Sequence, residues 1–122
     1  MNNVVVWFDI PVKDLKRAIA FYSKVLGIKM EPPMEMGPDK MAFFPYEQGA
    51  VSGMLIESKD HTPSTKGTLV YLNGGEDLSI PLKRINAAGG KVIKDKMSIG
   101  QYGFMATFED TEGNLVALHS PK

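Results

Sequence analysis

The feature that most constrains the fold is an order of predicted elements that occurs twice. Apolar residues at helical spacing from Leu15 to Leu26 predict a helix ending before Gly27. A second, shorter stripe of this kind lies between Asp77 and Gly89. Alternating and β-branched segments predict the strands around both helices, at 4–10, 28–30, 41–46, 51–57, 68–72, 91–94, 102–108 and 114–119. Each half therefore reads strand, helix and three strands.

An offset of 63 positions superimposes the two predicted helices. The matched pairs are Asp14 with Asp77, Leu15 with Leu78, Ile19 with Leu82, Tyr22 with Ile85, and Gly27 with Gly90. Two amphipathic helices can often be aligned in part, but here the flanking strands and the closing glycines match as well. We therefore predict one domain over residues 1–122. It consists of one module at 1–58, a polar linker at 59–66 and a second module at 67–122.

Composition argues against several classes of function. Fourteen basic and fourteen acidic residues are interspersed without a basic patch, so neither nucleic acid nor a membrane surface is a predicted partner. No segment approaches the roughly 18 apolar residues of a membrane span. The chain has no cysteine, which excludes disulfides, thiolate metal sites and cysteine nucleophiles. Without cysteines, and without a basic segment followed by an apolar one at the N-terminus, a cytoplasmic location is predicted.

The chain contains three distinctive segments, at residues 11–27, 87–92 and 110–114. Together they resemble the vicinal oxygen chelate superfamily of glyoxalases, bleomycin resistance proteins and dioxygenases. Residues 11–27 are similar to its opening strand–helix signature, and residues 87–92 to the end of its second helix. Residues 110–114 resemble its D-P-D-G-N hairpin, with Thr111 replacing the proline. The chain is most similar to uncharacterised relatives of lactoylglutathione lyase. The resemblance implies an α+β fold in which two βαβββ modules form an open cup-shaped sheet with the helices outside, and it implies a homodimer.

The resemblance also implies a divalent metal ion held by His, Gln or Glu at four strand positions that face the cup. At the matching positions this sequence has Trp7, Gly53, Val70 and Ala117, with Thr68 in place of Val70 if the alignment shifts by two. Trp7, Gly53, Val70 and Ala117 have no side-chain donor for such an ion. We therefore predict no metal and no other cofactor, which removes the basis for the family's metal-dependent reactions.

Strand alternation predicts which side chains would line the cup instead. An aromatic wall with small floor residues and a few polar groups suits a largely apolar organic ligand. The predicted ligand-binding residues are Trp7, Gly53, Leu55, Thr68, Val70, Gln101 and Ala117. The predicted acid/base residues are Asp9, Tyr102 and His119.

Three functions are compatible with these residues. The first is a metal-independent binder of a small, largely apolar molecule in the cup. The second is a glyoxalase-like lyase or isomerase that uses Asp9, Tyr102 or His119 as acid/base groups without a metal. The third is a module that acts through oligomerisation or partner binding. Each residue also has a structural interpretation: Trp7 could fill space, Asp9 could be solvated at a strand end, and Tyr102 could anchor its loop.

Overall fold

The computed structural model describes residues 3–122, which form two four-stranded sheets. Met1 and Asn2, where the first predicted module begins, lie outside the described residues. The first half contains β1 (Trp7–Pro11), α1 (Leu15–Leu26), β2 (Met34–Met36), β3 (Asp39–Phe43) and β4 (Ser52–Glu57). The second half contains β5 (Tyr71–Asn73), α2 (Ser79–Leu82), β6 (Lys91–Ser98), a 3₁₀ turn at Gly100–Tyr102, β7 (Phe104–Glu109) and β8 (Leu115–Ser120).

Both sheets have the same topology. The strand orders are β1-β4-β3-β2 and β5-β8-β7-β6. In each sheet the first strand of the half pairs in parallel with the last, and the remaining pairs are antiparallel. The predicted α+β architecture of two βαβββ units with open sheets is therefore confirmed. Neither α-helix of residues 3–122 has the length and hydropathy of a transmembrane segment.

Two predicted elements differ from the structure. The strand expected at 28–30 is absent, and β2 forms inside the expected loop, because Gly37 at φ 60° turns the chain so that Met34 pairs with Met41. The second helix is a single turn, Ser79–Leu82, followed by hydrogen-bonded turns. Leu78 and Ile85 of its apolar stripe are nevertheless fully buried, because tightened turns keep both side chains on the core side.

α1 lies at the centre of a core that the two halves share. The side chain of Asp14 accepts a hydrogen bond from the N–H of Arg17 at the helix start. The buried face of α1 presents Phe21 and Tyr22 to both sheets. The ring centroid of Phe21 lies 5.9 Å from that of Phe108 in β7, and the centroid of Tyr22 lies 5.8 Å from that of Phe44. Packing of α1 therefore joins the two halves.

A buried acidic hairpin after β7 holds the start of α1. Glu112 Oε1 accepts the N–H groups of Lys13 at 2.8 Å and Asp14 at 2.9 Å, and Arg17 Nε donates to Oε2 at 2.7 Å. Burial raises the pKa of Glu112, but hydrogen bonds from Arg17 and the Asp14 N–H outweigh it and lower that pKa to about 2. The segment that resembles the D-P-D-G-N hairpin thus holds the start of α1 in place, a role that was not predicted from the sequence.

The strand register assigns side chains to the two faces of the first sheet. Trp7 is paired with Ser52 and Phe8 with Gly53, and paired residues share a face. We call the face that packs on the helices the inner face, and the opposite one the outer face. Leu55 is fully buried in the core on the inner face, and Gly53 lies against Phe8. The prediction that Gly53 and Leu55 face the same side as Trp7 is therefore wrong. The parallel pairing places Ser52, and not Gly53, opposite Trp7.

The second sheet shows a similar difference. Tyr71 pairs with Ala117 and Leu72 with Leu118, and Leu72 and Leu118 belong to the core. Val70 also packs against the core, so the prediction that it shares a face with Ala117 is wrong. Ala117 lies on the outer face with Tyr71, although neighbouring groups bury it completely. Thr68 is exposed and precedes β5.

Replacing Gly53 with Ala is expected to lower the free energy of unfolding by about 2–3 kcal/mol. A Cβ atom there would lie 2.4 Å from the carbonyl oxygen of Phe8 and 2.6 Å from its ring, so backbone in β1 must move. Gly67→Ala is the matched control, because a Cβ at Gly67 meets nothing within 4 Å. Urea unfolding followed by circular dichroism measures both, and equal stabilities would contradict the register described above.

Candidate functional site

A cleft runs between the two halves where β1 borders the segment leading into β5. β1 is hydrogen-bonded on one side to β4, and β5 on one side to β8, so the two sheets are not joined. Two cavities lie along this cleft, a large one of about 1360 Å³ and a small one of about 460 Å³. They share a wall made by Trp7, Phe8, Thr68 and Val70.

The large cavity is predominantly apolar. Its apolar lining comes from α1, β1, α2 and the segments beside β4 and β5, and includes Val5, Leu26, Phe44, Val51, Tyr71 and Ile80. Three charged side chains also line it, and two of them already have partners. Arg84 Nη1 donates to the carbonyl of Val25 at 3.1 Å, and Asp77 pairs with Lys96 at 2.9 Å. An apolar surface with few available charges suits an apolar guest.

Trp7 is a partly exposed aromatic residue in a fixed position. Its indole N–H donates to Asp9 Oδ1 at 3.1 Å, and its ring meets that of Phe43 edge-on with 5.1 Å between centroids. The residue is 37% exposed and lines both cavities. A restrained indole can contact a ligand with little loss of side-chain freedom.

The small cavity lies between the C-terminal end of β1, the linker and the start of β8. Asp9, His61, Thr62 and Leu115 are among its lining residues. The buried amide of Asn114 joins the surrounding segments. Its Nδ2 donates to the carbonyl of Pro11 at 2.7 Å, and its Oδ1 accepts from the N–H of Ser64 at 3.2 Å. The linker is thereby tied to the end of β1, which holds the walls of the small cavity.

The structure does not bring the predicted acid/base residues together. His119 Nε2 lies 2.6 Å from the carbonyl oxygen of Tyr102, so the contact uses the backbone of Tyr102 and not its phenol. Tyr102 is 70% exposed, and Tyr102, His119 and Gln101 line neither cavity. Asp9 lines the small cavity.

The predicted ligand-binding residues are divided in the same way. Trp7, Thr68 and Val70 line both cavities, whereas Gly53, Leu55 and Ala117 line neither. Tyr71, Ile80 and His61 line one cavity each and were not predicted. The helical spacing after Asp77 could have identified Ile80 as a residue off the buried stripe. No sequence signal places His61 beside β1.

Asp9 is the carboxylate next to Trp7, and the other donor groups near Trp7 do not complete a site for a divalent metal ion. No cluster of three or more His, Cys, Asp or Glu side chains within residues 3–122 could hold one. In the observed register, Ser52 and Met54, and not Gly53, lie on the same face as Trp7. In the same way Tyr71, and not Val70, lies on the same face as Ala117. These positions supply no carboxylate or imidazole, the groups such ions prefer. His119 shares the outer face of β8 but contacts the carbonyl of Tyr102.

Comparisons with known proteins agree with this fold. Residues 4–118 match the Glyoxalase/Bleomycin resistance protein/Dioxygenase superfamily. A glyoxylase-like domain-containing protein of Didymella fabae is 30% identical over 121 residues, which are 97% of this chain and 94% of that protein.

Many solved structures, among them these two, resemble the chain in fold. Glyoxalase I from Zea mays has a TM-score of 0.75 and 23% identity over 95% of this chain, which spans about half the length of that enzyme (45%). An antibiotic binding protein from Streptomyces sp. CB03234 has a TM-score of 0.71 and 20% identity, over 98% of this chain and 97% of its own. At these identities the likeness shows the fold alone.

Proposed function

Since the chain belongs to the Glyoxalase/Bleomycin resistance protein/Dioxygenase superfamily, we propose that it binds a small, largely apolar organic molecule without a metal ion. The site is the large cavity between the two halves. The observation that carries the proposal is its apolar lining, with the restrained indole of Trp7 on one wall. An antibiotic binding protein of the same fold gives a precedent for ligand capture.

Metal independence is supported by the chemistry of the available donors. The face that holds Trp7 carries Ser52 and Met54 in β4, neither of which is a strong ligand for a hard or borderline divalent ion. The apolar surface of the large cavity can instead stabilise a ligand through burial, at about 25 cal/mol per Å² of apolar area. Affinity would then depend on shape and apolar area, and not on a coordinated oxygen pair.

Filling the cleft tests this location. Thr68 is exposed and lines both cavities, so Thr68→Trp places a large side chain in the cleft without entering the core. Thr65→Trp is the matched control, because Thr65 is exposed and lines neither cavity. Thermal-shift screening with neutral aromatic compounds such as coumarin should stabilise the wild type and Thr65→Trp, but not Thr68→Trp. Equal stabilisation of all three would place binding elsewhere.

The alternative of a metal-free lyase or isomerase has less support. It requires acid/base groups around one substrate, and Asp9 lines a cavity that neither Tyr102 nor His119 reaches. The ring of His119 contacts a carbonyl oxygen and not a carboxylate. Within residues 3–122, the three candidate acid/base groups therefore do not surround one substrate site.

We also propose that the chain forms a homodimer in the cytoplasm. Several large apolar residues of the first half and of β5 are exposed, among them Val4 at 92%, Val6 at 76%, Val51 at 43% and Tyr71 at 52%. Exposed apolar surface is typical of protein interfaces. The absence of cysteine fits a reducing compartment.

Light scattering coupled to gel filtration at micromolar concentration should give the mass of two chains. Val6→Asp should shift the protein to one chain, because a carboxylate cannot be buried there without a partner. Ile93→Asp is the control, since Ile93 is half exposed and lies on β6, the edge strand of the second sheet farthest from β5. A monomeric wild type would refute the homodimer.

A further inference from the structure

The small cavity differs from the large one in its charge. Asp9 is the one carboxylate among the described residues that line it, and these residues include no lysine or arginine. His61 is the other titratable group on its wall. Because no lysine or arginine lies among the described residues of its wall, this carboxylate favours cations over anions as ligands.

Asp9 has a carboxylate oxygen available for a ligand. Its Oδ1 accepts the indole N–H of Trp7 at 3.1 Å, which fixes the position of the carboxylate. Within residues 3–122, Oδ2 has no hydrogen-bond partner in the protein. An ammonium group at Oδ2 would form a charge-assisted hydrogen bond.

The rest of the wall suits the apolar part of such a ligand. Val70 and Leu115, which are both partly exposed, supply aliphatic surface on the wall of the same cavity. The volume of about 460 Å³ lies within the range of roughly 300–1,000 Å³ typical of small-molecule sites. The linker side of the cavity is held by the hydrogen bond between Ser64 N–H and the buried Asn114. The site is thus formed before any ligand enters.

We propose that the small cavity binds a protonated primary amine carried on a compact apolar group, with the ammonium on Asp9 and the apolar group against Val70 and Leu115. One carboxylate and one imidazole are too few ligands for a hard divalent cation, so a metal ion is the weaker candidate for the same charge. A carboxylate ligand would face Asp9 without a basic side chain to offset the repulsion.

Three probes that share a phenethyl group test the proposal: phenethylamine, phenethyl alcohol and hydrocinnamate. They are titrated at neutral pH by calorimetry with coumarin present in excess to occupy the large cavity, because Trp7 lines both cavities and its emission would not separate them. The amine should bind about 10-fold more tightly than the alcohol, the usual worth of one charge-assisted hydrogen bond, and hydrocinnamate more weakly than either. Asp9→Asn should make amine and alcohol equal. Asp60→Asn, which removes an exposed linker carboxylate that lines neither cavity, should leave the preference unchanged.

Equal binding of amine and alcohol by the wild type would overturn the proposal, and so would an amine preference that survives Asp9→Asn. Circular dichroism verifies that the variant is folded. If Asp9→Asn does not fold, Thr62→Lys gives the same test from the opposite wall, because it places a cation in the cavity and should abolish the preference. The wild type is also titrated with coumarin. Coumarin binding together with equal binding of amine and alcohol would refute this proposal and leave the proposed function standing, so the two failures are distinguishable.

Discussion

Replacing Glu112 with Gln is expected to lower the free energy of unfolding by about 3 kcal/mol. The carboxylate accepts two backbone N–H groups at the start of α1 and two from the Arg17 guanidinium, and its residue is 2% exposed. Both carboxylate oxygens accept hydrogen bonds, so an amide would place its NH₂ group against N–H donors. At least one buried N–H group would then lose its acceptor. Chemical unfolding of the variant against Glu47→Gln, a change at an exposed turn residue, measures the loss.

Glu112→Gln should also make the free energy of unfolding less dependent on pH under acidic conditions. The pKa of Glu112 is lowered in the folded protein from 4.5 to about 2, so its contribution is complete above about pH 4.5 and is lost as the pH falls towards 2. Subtracting the stability of Glu112→Gln from that of the wild type isolates this dependence from the effect of Asp77, whose pKa is also lowered. A difference between the two proteins that stays constant from neutral pH to pH of about 3 would contradict the role given to Glu112.

Replacing Trp7 with Ala should weaken the binding of coumarin by about 30-fold, which corresponds to about 2 kcal/mol. The indole lines the cleft over both cavities and is held by Asp9 and Phe43, so its loss removes apolar contact area and a pre-ordered wall. Trp7→Phe should restore part of the affinity, because a phenyl ring supplies a smaller aromatic face.

Tyr46→Ala is the control for this substitution. Tyr46 is an aromatic residue with 58% exposure that lines neither cavity, so its loss should leave coumarin binding unchanged. Calorimetry is the suitable measurement, since it does not depend on tryptophan emission. Equal affinities for the wild type and Trp7→Ala would show that coumarin does not contact the indole.

The sequence predicts the architecture well because that part depends on local spacing. The apolar stripe of α1 and the alternation in the flanking strands need no knowledge of partners, and the second half repeats the order. The helix after Asp77 was predicted too long, because a periodic stripe cannot distinguish an α-helix from successive tightened turns. β2 escaped prediction because its three exposed residues carry no alternation of burial.

The face assignments fail where they depend on pairing between distant strands. The prediction that Gly53 and Leu55 share one face of β4 is right. Which face of the sheet this is depends on the hydrogen bonds that pair β4 with β1, where Trp7 lies opposite Ser52, 45 positions away. A shift of one residue moves Gly53 and Leu55 to the opposite face. The anchoring role of Glu112 could not be predicted for the same reason, since its partners lie at the other end of the chain.

Metal independence of binding is the central claim, and calorimetric titration of coumarin into the protein before and after dialysis against EDTA tests it most directly. The proposed apolar site predicts the same dissociation constant in both titrations, and again after zinc is added back. Binding that disappears after chelation and returns with zinc would contradict the claim, because the cavity would then depend on an ion that its side chains are not expected to hold.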